Sequence, residues 1–224
     1  RRTMSRRDDA LVMTPELMLR AYAAGIFPMA ESRETDDVFW VDPKRRGILP
    51  LDNFHAGRRL RRTVRKGPYQ VTCNTVFSKI VETCAEHTHK RQDTWINPPI
   101  EAAVNELHQM GFAHSVECWQ DDALVGGLYG ISLGAAFFGE SMFSRATDAS
   151  KVALVHLAAR LKLGGFRLLD TQFVTDHLAQ FGVIEVPARD YLVELENALK
   201  FQAVFPTHPS PEGWQDALGE VLKN

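Results

Sequence analysis

Two short stretches gather residue types that can do chemistry. Gly139-Glu140-Ser141-Met142-Phe143-Ser144-Arg145 holds a carboxylate, two hydroxyls and a guanidinium beside two apolar side chains, a mix that a solvated loop would not choose. It reads as a loop leaving a strand. The plainer alternative is a loop tucked against the core, with Glu140 pairing Arg145. Leu168-Leu169-Asp170-Thr171-Gln172 drives a hydrophobic strand into a carboxylate, which either serves a reaction or caps the following turn. The strand–helix junction beside these stretches offers free backbone N–H groups to an anion or a developing oxyanion.

A third feature is electrostatic. The chain has 26 basic and 28 acidic residues, so its net charge of −2 says nothing about partners. Between Lys44 and Lys66, however, nine basic residues face Asp52 alone, giving that window +8 and the remainder −10. Arg58, Arg59, Arg61, Arg62, Arg65 and Lys66 fall at helical spacing and can line guanidinium groups along a phosphate backbone. The bland reading is a solvated helix face. No aromatic residues interleave with this run, so base reading is not indicated.

Other constellations are missing from the sequence. There is no Gly-rich phosphate loop, and neither histidines nor cysteines show metal-ligand spacing. The Arg/Gln-x-x-Gly-x-Gly/Ala loop that holds the pyrophosphate of coenzyme A is absent too. Neither a metal nor a cofactor is therefore expected. Cys73, Cys84 and Cys118 are odd in number and read as packed, reduced thiols. His87, His89 and His156 read as structural or solvated. No window approaches 18 uninterrupted apolar residues, and Arg1 to Asp9 has no apolar stretch behind its charges, so a cytoplasmic location without membrane contact is expected.

The elements that must position these groups follow from local signals. With 45% apolar residues, 224 residues can bury a sizeable core. Thr14 and Pro15 open a helix that stops at Gly25, and the basic helix ends at Lys66-Gly67-Pro68. That break suggests a small N-terminal domain over residues 1–66 and a larger one over 67–224. A strand over 69–73 precedes a helix with Phe77, Ile80, Val81 and Cys84 on one face, then a helix from Pro98 terminated by Gly111. The runs 114–119, 123–131 and 134–139 form an antiparallel meander. Thr147 or Asp148 then caps a helix with Leu154, Leu157, Ala158 and Leu161 on one face, followed by a strand over 166–169, two more helices and a loose proline-marked tail. The class is α/β (α+β), in the order of an acyltransferase core whose helix crosses back over the sheet.

Seven colinear blocks now carry a resemblance: residues 21–29, Thr94-Trp95-Ile96, 113–117, Val125-Gly126-Gly127-Leu128-Tyr129-Gly130, Gly139 to Arg145, Ala149-Ser150-Lys151 and Asp170-Thr171-Gln172. Together they resemble the leucyl/phenylalanyl-tRNA–protein transferases of bacteria, over about residues 14–200. The resemblance implies an enzyme that moves Leu or Phe from aminoacyl-tRNA to the N-terminal α-amine of proteins beginning with Arg or Lys, marking them for degradation. It implies a GNAT-like core beside a smaller N-terminal domain. Its side-chain pocket falls on Leu128, Phe138, Met142, Leu154, Leu157 and Leu161, with Glu140 and Ser144 beside it and Trp40 and Trp95 also on the aminoacyl side. Asp170 and Gln172 take the catalytic positions, and the basic helix grips the tRNA acceptor stem. Where relatives carry bulkier Met or Phe, Leu128, Leu157 and Leu161 imply a wider pocket; Phe39-Trp40 replaces two Trp and Val104 a Tyr. Two other classes stay open: a coenzyme A-dependent N-acetyltransferase, and a non-catalytic tRNA-binding module.

Overall fold

A computed structural model describes residues 13–87 and 94–223. Arg1 to Asp9 and His89 lie outside the described residues. The helix starts follow from local chemistry. Thr14 Oγ1 accepts the Leu17 N–H at 3.1 Å at the head of α1 (Pro15–Ala23), and Asn97 does the same for Ile100 at the head of α4 (Pro98–Gln109). Between them come a two-stranded ribbon of β1 (Phe27–Met29) and β2 (Phe39–Val41), then β3 (Arg45–Ile48), α2 (Arg58–Lys66), β4 (Gln70–Cys73) and α3 (Phe77–Ala85). The meander follows as β5 (Ala113–Gln120), β6 (Ala123–Leu133) and β7 (Ala136–Ser144). After it come α5 (Ala149–Leu163), β8 (Leu168–Gln172), α6 (Asp176–Ala179), β9 (Ile184–Pro187), α7 (Ala188–Leu199) and α8 (Pro211–Val221).

Seven strands form one sheet in the order β4-β5-β6-β7-β8-β3-β9. All neighbours are antiparallel except β7 and β8, which are parallel because α5 crosses between them. One face packs on α2, α5 and α8 through Leu60, Val64, Leu154, Leu157, Leu161 and Val221. The other packs on α1, α3, α4 and α7 through Met18, Tyr22, Ile80, Val104 and Tyr191. The fold is mixed α/β, with helices covering both faces.

Several expectations need correction. The segment from Gly139 to Ser144 is the second half of β7, paired to residues 126–130, and not a loop. Its period is hidden by a bulge: Gly130 faces Gly139 and Tyr129 faces Ser141, so Glu140 is the extra residue. Likewise β8 continues through Asp170 to Gln172. Residues before Lys66 also enter the large sheet, since β3 lies between β8 and β9. Asp148 stands at the N-cap of α5 with φ 62° but does not cap it; Ser144 Oγ accepts the Ser150 N–H instead. The tail is not loose: Ser210 accepts the Gly213 N–H, and α8 packs on α5, where Trp214 covers His156 and the buried Arg160. Burial there lowers His156 to about 4. The three cysteines are free and buried, and burial pushes Cys73 and Cys118 up to about 12.

Candidate active site

A recess of about 180 Å³ opens between β6, β7, α5 and the residues after β8. Its apolar wall follows from two periodicities. Leu128 and Met142 sit directly opposite each other on β6 and β7, and Leu154 and Leu157 share one face of α5; Leu169 of β8 completes the wall. Glu140, Ser141, Thr171, Thr175 and His177 supply polar edges. The volume suits one bulky aliphatic or aromatic side chain, and the wall has no charge to spend on a polar one.

Behind the recess lies a buried cluster of charge. Arg46 and Asp170 are 1% and 0% exposed and form an ion pair, with Arg46 Nη2 2.7 Å from Oδ2 and Nε 3.0 Å from Oδ1. Tyr191 donates its hydroxyl to Oδ2 at 2.6 Å, and the backbone N–H of Gln172 donates to Oδ1 at 2.7 Å. Arg46 is fixed in turn by the Gly25 carbonyl at 2.7 Å and by the rings of Phe27 and Tyr191, 4.6 and 4.5 Å from its guanidinium carbon. Burial works against the Arg46 charge, and the Asp170 carboxylate outweighs it. Burial and the same carboxylate hold the Tyr191 hydroxyl well above its ordinary range, so it stays a donor.

This cluster sets the next residue. Gln172 has φ 59°, a left-handed conformation that a non-glycine residue adopts at a cost, and its bond to Asp170 helps to hold it there. Gly47 makes the geometry possible, since a Cβ on it would stand 2.7 Å from the Phe173 backbone. Gln172 Nε2 then reaches Glu140 Oε1 at 3.1 Å, and the Tyr22 hydroxyl donates to the same oxygen at 2.6 Å. Burial raises the Glu140 carboxyl to about 7, against the pull of these two donors, and the Asp170 charge adds to the rise. Burial and Glu140 together raise Tyr22 well above its ordinary value.

The structure brings together Leu128, Met142, Leu154, Leu157, Glu140, Asp170 and Gln172. Five expected residues of the aminoacyl side stand elsewhere. Phe138 precedes the bulge and therefore points to the opposite face, where it packs 4.8 Å from Tyr22. Leu161 is one turn further along α5 than Leu157 and fills the core. Trp40 lies on β2 opposite Pro28, and Trp95 receives the Ala30 N–H on its carbonyl; neither lines the recess. Ser144 is occupied in holding the start of α5. Arg145 pairs with Glu86 and not with Glu140.

The basic helix is divided. Arg58, Arg61, Arg62, Arg65 and Lys66 line a cleft against the end of α8. Arg61 donates to the Lys223 carbonyl at 3.2 Å, and Arg59 faces Asp148 at 3.4 Å. Arg46, counted in the charged window, belongs to the core. Sequence reasoning missed it, along with Tyr22, Tyr191, Thr175 and His177; the only signal for Arg46 was an arginine running directly into Gly47-Ile48-Leu49.

The fold resembles that in the crystal structure of FemX, with a TM-score of 0.54 at 10% identity over 77% of this chain and 66% of that one. Residues 48–196 match the model of the leucyl/phenylalanyl-tRNA protein transferase family, and residues 12–44 match the model of its N-terminal domain. A leucyl/phenylalanyl-tRNA–protein transferase of Zymomonas mobilis is 58% identical over 95% of this chain and 79% of its own length. That of Paramagnetospirillum magneticum is 55% identical over 92% and 98%. That of Caulobacter vibrioides is 58% identical over 86% and 88%. The chain is thus an enzyme of the aminoacyltransferase class. It belongs to the leucyl/phenylalanyl-tRNA–protein transferase family.

Proposed function

We propose that the protein moves Leu or Phe from the 3′ ester of its tRNA to the α-amine of proteins beginning with Arg or Lys. The observation that carries this is the apolar recess with Glu140 at its edge and Gln172 hydrogen-bonded to that carboxylate. Burying a Leu or Phe side chain there is worth roughly 0.8 kcal/mol per CH₂, which excludes smaller residues. An aminoacyl ester is already activated, and an α-amine with a pKa near 8 is about one-tenth free base at neutral pH. Orientation is therefore the main need, and well-aligned reactants gain about 7–11 kcal/mol.

Asp170 orients. Its oxygens already accept from Arg46, Tyr191 and the Gln172 N–H, which supports a positioning role over that of base. Glu140 is the better proton acceptor, because its level near 7 matches the amine and both its described hydrogen bonds go to Oε1, leaving Oε2. In this mechanism the amine nitrogen bonds to the carbonyl carbon and the bond to the ribose oxygen breaks. The amine proton passes by way of Glu140 to that oxygen.

The exposed cations of α2 suit the tRNA acceptor stem. The helix crossing between parallel β7 and β8 supports a GNAT-like core. The junction of the two family models near residues 44–48 supports a small N-terminal unit ending before β3. Free buried thiols suit a cytoplasmic setting, and no helix among the described residues is long and apolar enough to cross a membrane. Coenzyme A is disfavoured, since the start of α5, where its pyrophosphate would sit, carries the Asp148 carboxylate and the Ser144–Ser150 bond. The test is incubation with labelled Phe-tRNA or Leu-tRNA and an Arg-initiated peptide. Label is expected on the peptide; label retained on the tRNA refutes the reading.

A further inference from the structure

Ala149-Ser150-Lys151 is a block whose lysine nothing above has used. Lys151 lies in a groove of about 350 Å³ formed by α2, the first turn of α5 and the end of α6. Arg58 lines both this groove and the basic cleft of α2. Gln180 and Phe181, just past α6, line the groove, while His177 and Leu178 of α6 line the recess. The groove therefore borders the basic cleft through Arg58 and is separated from the recess only by α6 and the residues just after it.

We propose that this groove, with Lys151 as its fixed cation, binds the phosphodiester backbone of the unpaired 3′ end of the tRNA donor. The inference rests on the function proposed above. A stem held on α2 and an ester held in the recess leave the intervening nucleotides to cross this ground, each bringing a negative charge. Arg58, Arg59 and Lys151 face a single carboxylate, Asp148, so the groove keeps two positive charges in excess. Asp148 is shared, 3.4 Å from Arg59 Nε and 3.5 Å from Lys151 Nζ, and neutralises neither fully. Lys151 is also anchored: Nζ donates to Gln180 Oε1 at 3.2 Å, and Gln180 Nε2 donates to the His177 carbonyl at 2.6 Å. An ammonium so placed is held against the segment that walls the recess and retains a free N–H. Burial, and after it the Lys151 charge, lowers His177 at the recess edge.

The experiment measures binding of deacylated tRNA and of the same tRNA lacking its unpaired 3′ nucleotides, across a salt series. Lys151→Glu is expected to weaken the full-length tRNA about tenfold and to lower the slope of log affinity against log salt by about one, without affecting the shortened tRNA. Lys151→Arg is expected to bind both as the unsubstituted chain does, and Arg62→Glu to weaken both alike. Equal weakening of the two tRNAs by Lys151→Glu, or no weakening of either, overturns the proposal. If the glutamate variant does not fold, Lys151→Gln carries the same comparison with a smaller loss. Transfer from labelled Phe-tRNA by the unsubstituted chain is scored separately, so a protein that discriminates the two tRNAs yet transfers nothing refutes the function and leaves the groove standing.

Discussion

Arg45 and Arg46 are neighbours on one strand and work under opposite conditions. Arg45 points to solvent and pairs with Glu185 of β9, both side chains about half exposed. Arg46 points inward and pairs with Asp170 where no water reaches. The same contrast separates the basic face of α2 from the cluster behind the recess. Exposed cations are screened by salt and can exchange partners, which suits a polyanion that must come and go. Buried ones are committed to a single geometry, and here they fix a strained glutamine against a carboxylate. One fold thus keeps exposed, exchangeable cations and a buried, fixed ion pair side by side.

The comparison can be tested from its buried end outward. Glu140→Gln should lower transfer by about 10²–10⁴-fold with tRNA affinity retained. In the unsubstituted enzyme the rate should rise with pH through two ionisations, Glu140 near 7 and the acceptor amine near 8, and the variant should keep only the amine limb; an unchanged pH profile would falsify the assignment. The sign for stability is opposite. Because the folded carboxyl titrates near 7 and an unfolded one near 4.5, the native state binds more protons between them, and stability should fall as pH rises across that range. Arg46→Met should come next. It leaves Asp170 charged and unpaired, so urea unfolding should report a loss of about 3–5 kcal/mol.

Leu157→Phe fills the recess and should shift the Leu-to-Phe ratio towards Leu by roughly 10–200-fold in kcat/KM, measured with the two charged tRNAs in competition. On the exposed face, Arg62→Glu with Arg65→Glu should reduce the salt slope of tRNA binding by about two, and Arg61→Glu should do less because Arg61 is already engaged with the Lys223 carbonyl. The smallest effect belongs to Arg45→Ala, at most about 1 kcal/mol in the same urea assay that reads Arg46→Met. Equal losses from the two arginines would dissolve the contrast drawn between them.

What was legible in the sequence was local. Thr14-Pro15 and Asn97-Pro98 announce helix starts through bonds that span three residues, and the meander shows its period over single strands. Leu154 and Leu157 could be assigned to one wall because both lie on one helix. The stretches holding Glu140, Asp170 and Gln172 stood out by residue type and their roles followed from resemblance, while their partners did not, since Arg46 is 124 residues away from Asp170 and only the short apolar run after it marks burial. Local charge counting even pointed the wrong way, by grouping Arg46 with solvent-facing arginines. The bulge at Glu140 disguised a strand as a loop, because one inserted residue reverses which side every later side chain faces. The proline-marked tail read as loose because Pro211 at a helix start and Pro209 before it look alike without Ser210 capping between them.

The place of β3 also dictates an order of assembly. It is synthesised early, yet its two hydrogen-bonded neighbours, β8 and β9, emerge only after residue 167. A nascent chain on the ribosome can complete the meander while β3 still waits, and the long wait is the kind that slows folding. Arg46 meets Asp170 only once that gap closes, so the alignment of Gln172 is among the last things the molecule acquires. An unfinished copy therefore lacks the Arg46–Asp170 pair and the residue conformation that depends on it.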